Sequence, residues 1–262
     1  MTIWIDPPAW PAHGRLWSHV ISDRSLEELH EFARRVDIPA RGFEGDHYDL
    51  PAERYADVVA AGAQETSGRD LLRRLRDSGL RMSKRKGDKG VQRIEAVTFP
   101  DGTSADVDLF TSPREMTHER VFAAMVLVQD GTGEHLLTWS ERRGEWSSPG
   151  GWREGDEAPV LTAARETWEE AGLELDPTTL QPVGYERFRH HAHTGAGLWV
   201  PGRDVLQLYV TRLQEARPTV RPETVDSRPP LWVDDAELEA RCSGSFWWPL
   251  AAEVLSLARR YT

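Results

Sequence analysis

The sequence predicts an α+β fold with a mixed sheet sandwiched between helices, preceded by a small α/β domain. Residues 120–129 (RVFAAMVLVQ) are almost entirely apolar, which is typical of a buried strand. The strands and helices predicted after it follow no regular strand-helix-strand rhythm, which argues against a parallel α/β sheet. Near the N-terminus, the short apolar run TIWI predicts a strand and is followed by helical patterns.

We divide the chain into a first domain at 1–82, a basic linker with a β-hairpin at 83–117, and a second domain at 118–262. In the first domain, Ser25 is a suitable N-cap for a helix over 25–36. Its predicted apolar face comprises Leu26, Leu29, Phe32, Ala33 and Val36. Two further helices are expected at 51–61 and 68–77. The segment 81–93 holds six basic residues and one acidic residue, which favours a solvated linker.

A hairpin is expected around Pro100-Asp101-Gly102, although the sequence does not assign it to either domain. A second hairpin joins the buried strand to 134–140 through Asp130-Gly131-Thr132-Gly133. Further strands are predicted at 183–188 and 205–213, and a final helix at 249–261.

Composition and charge restrict the function. The chain has 262 residues and one cysteine, so it forms no internal disulfide, which fits a cytoplasmic protein. It has neither a signal-peptide pattern nor an apolar run of membrane-spanning length. The net charge of −11 falls entirely within residues 91–262, which argues against general nucleic-acid binding.

The stretch from Gly151 to Leu173 carries the chemistry. Pro159 suits the first turn of a helix, which Asp156 or Glu157 can cap, and Gly172 suits the residue after its end. At about 100° per residue, three glutamates share one face of this helix. They are Glu166, Glu169 and Glu170. The opposite face is predicted to pack on a sheet, and it comprises Val160, Leu161, Ala164, Trp168 and Ala171.

An acidic helix face is commonly just solvated, and its like charges repel weakly. Binding of a hard divalent cation is the functional interpretation of this cluster, because Mg²⁺ binds a few carboxylates and leaves coordination positions for phosphate and water. The preceding Pro149-Gly150-Gly151 lets the backbone approach a ligand closely.

These residues resemble the Nudix box, G-x5-E-x7-R-E-U-x-E-E-x-G-U, where U is aliphatic. Eight of its nine fixed positions match, and Thr167 stands at the first aliphatic position. The matching residues are Gly151, Glu157, Arg165, Glu166, Glu169, Glu170, Gly172 and Leu173.

The resemblance implies Mg²⁺-dependent (or Mn²⁺-dependent) hydrolysis of a diphosphate linkage in a nucleoside diphosphate derivative. It implies Glu169 and Glu170 as metal ligands, and Glu166 as a ligand or the general base. Glu157 would lie near the metal, and Arg165 would hold the carboxylates in place. A general base from a later loop stays open, with Glu186, Glu223 and Asp226 as candidates.

Substrate recognition is less constrained by the sequence. Gly150, Gly151, Trp152 and Arg187 form the expected substrate-binding set. Other residues that suit stacking or phosphate contact are Trp146, Trp199, Arg189 and His190, although aromatic residues in such domains are more often core. The histidine-rich 189–197 segment is interpreted as a loop, with a zinc site as the alternative.

The first domain resembles an uncharacterised bacterial family through DPPAWPAHGRLWSH (6–19) and GDHYDLP (45–51). No activity is implied by that resemblance. Its loop-like segments carry five metal-capable residues: Asp6, His13, His19, Asp46 and His47. They either form a metal or phosphate site or fasten loops by hydrogen bonds, with Trp10 and Trp17 as core.

Two other functions were weighed against hydrolysis. A Nudix-fold sensor would bind a nucleotide without cleaving it, but it would have less need of the full carboxylate set. Isomerase chemistry on an isoprenoid diphosphate would require a catalytic cysteine, and Cys242 lies far along the chain. The sequence leaves open whether the chain forms a homodimer.

Overall fold

A computed structural model describes residues 2–191, 200–221 and 228–259. The chain divides into two compact units, Met1–Val91 and Gln92–Thr262. Each unit has its own sheet.

The described residues of the first unit form a five-stranded sheet with three α-helices. The strands are β1 (Ile3–Ile5), β2 (Trp10–Ala12), β3 (Arg15–Ser22), β4 (Tyr48–Pro51) and β5 (Gln64–Glu65). The helices are α1 (Leu26–Arg35), α2 (Tyr55–Ala60) and α3 (Gly68–Asp77). The sheet order is β2-β3-β1-β5 with β4 also paired to β3, and only the β1–β5 pair is parallel among these strands.

The predicted first helix is confirmed, since the Ser25 side chain accepts from the Glu28 amide. Its apolar face joins β1, β3 and β4 in the core of the unit. The helix expected at 51–61 is shorter, because a 3₁₀ turn at Ala52–Arg54 precedes α2. The prediction that Trp10 is a core residue is wrong. Its side chain is exposed, because β2 is an edge strand with an exposed face.

The basic segment after α3 is not the solvated linker that its charge predicts. Met82 and Asp88 are buried, and the Met82 amide donates to the Asp46 carboxylate. Lys84 and Arg85 are paired with Glu44 and Asp88, so acidic partners supplied by the fold neutralise this local charge.

The second unit contains a nine-stranded mixed sheet among its described residues. Its strands are β6 (Lys89–Thr98), β7 (Ser104–Thr111), β8 (Val121–Gln129), β9 (His135–Ser140), β10 (Glu145–Ser147), β11 (Gly150–Trp152), β12 (Gln181–His190), β13 (Val205–Arg212) and β14 (Leu231–Val233). The main order is β10-β9-β8-β13-β12-β7-β6, with β11 beside β8 and β14 beside β9. The β8–β13 pair is parallel, and the predicted hairpin β6–β7 extends this sheet through β12.

Three helices pack on the sheet: α4 (Pro159–Ala171), α5 (Asp235–Cys242) and α6 (Trp248–Arg259). Helix α4 covers a face that includes Ala124, Val126 and Tyr209. Helix α6 packs at Gly184, where Leu250 fills the space that a side chain would take. Gly184 pairs with Leu208 on β13 and faces the same side of the sheet. The next residue, Tyr209, points to the other side, where α4 packs, so α4 and α6 lie on opposite faces of the sheet. The predicted sandwich of a mixed sheet between helices is confirmed.

The apolar face expected for α4 is partly wrong. Leu161 and Trp168 are exposed, at 46% and 51% of their surface. The buried stripe instead centres on Ala163, Thr167 and Ala171, because small side chains let the helix approach β8 and β11 closely. Thr167 is fully buried and donates its hydroxyl to the Ala163 carbonyl.

The cap of α4 also differs from the expectation. Ala158 is the N-cap residue and makes no side-chain cap. Pro159 occupies the first turn and Gly172 is left-handed at the C-terminus, as predicted. Among the described residues, no helix combines the length and apolarity needed to cross a bilayer.

Candidate active site

The three glutamates of α4 lie together on one side of a cavity, and they differ in environment. Glu169 is the most exposed, with 41% of its side chain accessible, whereas the Glu166 side chain is 14% accessible. Burial raises the pKa of Glu166, while Arg165 opposes that rise. Arg165 pairs with two of these carboxylates, Glu166 and Glu169, and offsets their negative charge.

Glu170 is the most enclosed of the three. Its Oε2 accepts from the Thr138 hydroxyl at 2.9 Å and from the Gly150 amide at 3.2 Å. Burial raises the pKa of Glu170 to about 7, against these two hydrogen bonds, which lower it. The side chain is therefore fixed in orientation by β9 and β11.

Arg165 ties the carboxylates together. Its guanidinium donates to Glu157, Glu166 and Glu169 and to the Trp152 carbonyl, at 2.9, 3.0, 3.1 and 2.8 Å. The hydrogen bond to Glu157 is the largest cause of the raised pKa of Arg165. The holding role that the family resemblance implies for Arg165 stays a prediction.

Glu157 sits before the helix and is bound on several sides. It accepts from the Thr162 hydroxyl and the Glu154 amide, both at 2.9 Å. Burial raises its pKa, but Arg165 and these donors outweigh burial and lower it overall. Glu157 is not among the described residues that line the cavity, and its carboxylate anchors Arg165. Its predicted place near the metal stays a prediction.

The two glycines of β11 permit close packing against the helix. A Cβ on Gly150 would lie 2.5 Å from the Ala124 carbonyl oxygen. A Cβ on Gly151 would lie 2.4 Å from the carboxyl carbon of Glu166. At positions 150 and 151, only glycine fits without displacing β8 or the glutamate.

The cavity beside the carboxylates has a volume of about 620 Å³. Gly150, Gly151 and Trp152 line it, together with Arg165 and the three glutamates of α4. The structure thus brings together seven of the predicted site residues. Their roles as ligands or substrate contacts remain predictions.

The remaining wall of the cavity was missed by sequence reasoning. It includes aromatic rings from several parts of the chain and three arginines: Phe122, Trp139, Phe188, Phe246, Arg142, Arg143 and Arg228. Arg228 stacks over Trp139 at 3.6 Å, and Arg142 lies 5.7 Å from the Trp152 ring. The pair Arg142-Arg143, directly after a predicted strand, was the one local signal in the sequence for this wall. The aromatic residues come from distant segments, and only the pairing of the strands brings them to one cavity.

Other nominated residues lie elsewhere. Arg187 is bound to Asp108 at 2.7 Å and is not among the described residues lining the cavity. Trp146 packs edge-on against Trp139, also outside the lining. Some of the predicted residues lie outside the part of the chain that the structure describes: Trp199, Glu223, Asp226 and most of the 189–197 segment. The zinc alternative for that segment is therefore not tested.

Glu186 and Cys242 are both buried away from the cavity lining described here. Burial raises the pKa of Glu186 to about 8, and its Oε2 has no hydrogen-bond partner among the described residues. Burial likewise raises the pKa of the Cys242 thiol to about 12. Neither group is among the described residues that line the cavity. Arg143, which does line it, is close enough to Glu186 to lower the pKa of that carboxyl, and the base role of Glu186 stays a prediction.

The fold and site define a mixed α+β domain in which a carboxylate-bearing helix packs against a glycine strand. Residues 119–253 match the family model of the NUDIX domain, and the chain belongs to that family. Residues 3–78 match a second family model, described as a protein of unknown function (DUF4031).

Two Mycobacterium tuberculosis strains hold a provisionally named 8-oxo-dGTP diphosphatase 3 that is 46% identical to this chain over 43 residues. That match spans 16% of this chain and 20% of the relative. Among solved structures, a mutant of the Bacillus subtilis pyrophosphohydrolase BsRppH is similar at 15% identity and a TM-score of 0.42. The alignment covers 63% of this chain and 98% of the BsRppH chain. A C. elegans Ap4A hydrolase aligns at 17% identity and a TM-score of 0.36, over 52% and 98% of the two chains.

Proposed function

We propose that this chain hydrolyses a diphosphate linkage in a nucleoside diphosphate derivative, using a divalent cation held by the carboxylates of α4. The observation that carries the proposal is the position of Glu166, Glu169 and Glu170 at a cavity that also contains arginines and aromatic rings. Family membership supports the reaction class.

The residues present fit a hard cation. The carboxylates of three glutamates line one cavity beside the glycine backbone of β11, and Arg165 and Thr138 hold two of them in orientation. Mg²⁺ is favoured over a softer metal because the donors are carboxylates. When bound, such an ion neutralises phosphate charge and lowers the pKa of attacking water.

The protein's own groups would orient the substrate. Arg142 and Arg228 offer cationic contacts for phosphate oxygens, and the Trp139 and Trp152 rings offer faces for a planar base. The cavity volume of about 620 Å³ is within the range of nucleotide-sized ligand sites. Glu166, enclosed beside Gly151, is our candidate for the general base or a third ligand.

The test is product analysis with a panel of nucleoside diphosphate derivatives, which includes 8-oxo-dGTP, dinucleoside polyphosphates and nucleotide sugars. The full chain is incubated with each compound and Mg²⁺, and the products are separated by ion-exchange chromatography. We expect phosphoanhydride cleavage of at least one compound, abolished by chelation and restored by Mg²⁺ or Mn²⁺.

The alternative is a nucleotide sensor that binds without cleavage. Equilibrium binding of a panel compound, with no turnover of any compound, would favour that alternative. The three carboxylates of α4 at the cavity support hydrolysis over sensing.

A further inference from the structure

A cluster of two histidines and one aspartate lies in the first unit, built by adjacent strands. His19 on β3 and Asp49 on β4 are direct partners in antiparallel register. His47 immediately precedes β4, and its ring centroid lies 5.2 Å from that of His19. One ligand atom from each of His19, His47 and Asp49 lies within 4.8 Å of the other two.

The spacing suits one shared ion. The Asp49 Oδ1 lies 3.3 Å from His47 Nε2 and 3.9 Å from His19 Nε2. Ligands of a tetrahedral ion with bonds of about 2.0–2.1 Å lie about 3.4 Å apart. The Asp49 Oδ1 is also buried, and its 3.3 Å contact with His47 Nε2 is long for a hydrogen bond. A bound cation would satisfy this acceptor.

Each histidine is oriented by its own buried carboxylate. Asp6 lies 3.0 Å from His19 Nδ1, and Asp46 lies 2.5 Å from His47 Nδ1. Both aspartates are almost fully buried. A carboxylate on one ring nitrogen fixes the tautomer and leaves the Nε2 lone pair for a metal, an arrangement that metal-binding histidines commonly have.

The cluster is accessible from a cavity of about 620 Å³ in the same unit. His19 and Asp49 line that cavity, together with Arg15, Arg41 and Arg54. Arg54 is fastened to the Val36 carbonyl at 2.6 Å. Three protein ligands leave coordination positions open, as in sites that exchange ligands.

We propose that His19, His47 and Asp49 form a site for a divalent transition metal of the Zn²⁺ class, oriented by Asp6 and Asp46. Imidazole ligands favour such metals over Mg²⁺, so this site is chemically distinct from the carboxylates of α4. The arginines of the cavity fit an anionic oxygen ligand, such as a phosphate group, at the open positions. The proposal does not rest on the hydrolase activity.

The experiment is a Zn²⁺ titration of the full, chelator-treated chain by calorimetry, with excess Mg²⁺ present to saturate carboxylate-only sites. We expect about one Zn²⁺ per chain. Binding should weaken at least tenfold in His19→Gln, His47→Gln and Asp49→Asn. It should be unchanged in His30→Gln, a histidine of the same unit that contacts Tyr48, and in Glu170→Gln.

The positioning role of the buried aspartates is tested by Asp6→Asn. We expect its affinity for Zn²⁺ to fall roughly 10–100-fold while binding is retained. Thermal unfolding is followed for every variant, and Asp49→Asn is the decisive one because it alters a single ligand oxygen in a half-exposed side chain. Absence of Zn²⁺ binding by the wild type would overturn the site. Unchanged Zn²⁺ binding by a folded Asp49→Asn protein would also overturn it, because Asp49 would then not be a ligand. In that case His47 would only be hydrogen-bonded between Asp46 and Asp49.

The anionic co-ligand has its own readout. Co²⁺ loaded at the site gives a visible absorption spectrum that depends on its ligands. Inorganic phosphate should change that spectrum in the wild type, and the change should require more phosphate in Arg41→Gln. A spectrum that is insensitive to phosphate would overturn the anionic ligand.

Discussion

Gly151 lies directly against the carboxylate of Glu166, so closely that a methyl group on Gly151 would occupy the same space as the carboxyl carbon. This contact links the glycine pair of β11 to the helix that carries the acidic cluster. It explains why glycine is needed at a position with an ordinary backbone conformation.

Gly151→Ala should impair activity more than folding. The added Cβ would displace the carboxylate of Glu166 from the cluster, and the flexible end of that side chain can move at little cost to folding. We expect kcat to fall at least tenfold, with a modest drop in thermal stability. Gly244→Ala is the matched control, since a Cβ there meets nothing within 4 Å and needs no left-handed backbone. Equal activity of the two variants would show that the contact does not matter.

Arg165→Lys tests whether the guanidinium positions the carboxylates. Lysine keeps the charge but cannot reach Glu157, Glu166 and Glu169 with one planar fork. We expect kcat to fall roughly 10–100-fold and the Mg²⁺ concentration for half-maximal rate to rise. Steady-state rates measured over a Mg²⁺ series check this. If only KM for the substrate changed, Arg165 would be acting on the substrate instead.

Arg228→Gln tests substrate contact at the cavity wall. Loss of a charged hydrogen bond to phosphate costs about 1.5 kcal/mol or more, so KM should rise roughly tenfold with little change in kcat. Arg212→Gln removes an exposed arginine of β13 outside the cavity lining and should leave both constants unchanged. A kcat loss without a KM change would contradict the assigned contact.

Glu186→Gln should stabilise the protein in a pH-dependent way. Burial raises the pKa of Glu186 to about 8, so the folded chain keeps a proton that the unfolded chain releases near pH 4.5. The stability contribution of this group therefore falls as pH rises from about 4.5 to 8 and is constant above that range. The variant should gain a few kcal/mol at pH 8.5 but little at pH 4.5.

Urea unfolding of wild type and variant at those two pH values measures this difference. Glu239→Gln, an exposed acidic residue of α5, serves as the control for removal of one negative charge. The same gain at both pH values would mean that Glu186 is ionised in the fold.

The sequence predicted most of the secondary structure because its periodicity and caps are local. Ser25, Pro159 and Gly172 occupy the helix-end positions expected of them, although the predicted acidic cap of α4 is absent. The exposure of Trp168 was not predictable from hydrophobicity, because close packing of α4 selects the small residues Ala163 and Thr167 instead.

Some features of the candidate site could be predicted from local sequence, and others depend on the tertiary fold. Its acidic helix face follows from spacing within one helix. The cavity wall brings Trp139, Phe188 and Arg228 together from three distant parts of the chain, which only the sheet order determines. Arg187 sits on a strand near the site, yet its pairing with Asp108 on β7 could not be read from local sequence.

The most direct test of the central claim compares Glu170→Gln with Glu174→Gln, once a hydrolysed panel compound is in hand. Glu174 is an exposed acidic residue just beyond the same helix. Mg²⁺-dependent turnover is measured for both variants at saturating substrate. We expect Glu170→Gln to lose at least roughly 10²-fold in kcat, because cation stabilisation contributes several kcal/mol. Glu174→Gln should keep wild-type turnover. Wild-type turnover in both Glu170→Gln and Glu169→Gln would contradict a cation site on this helix.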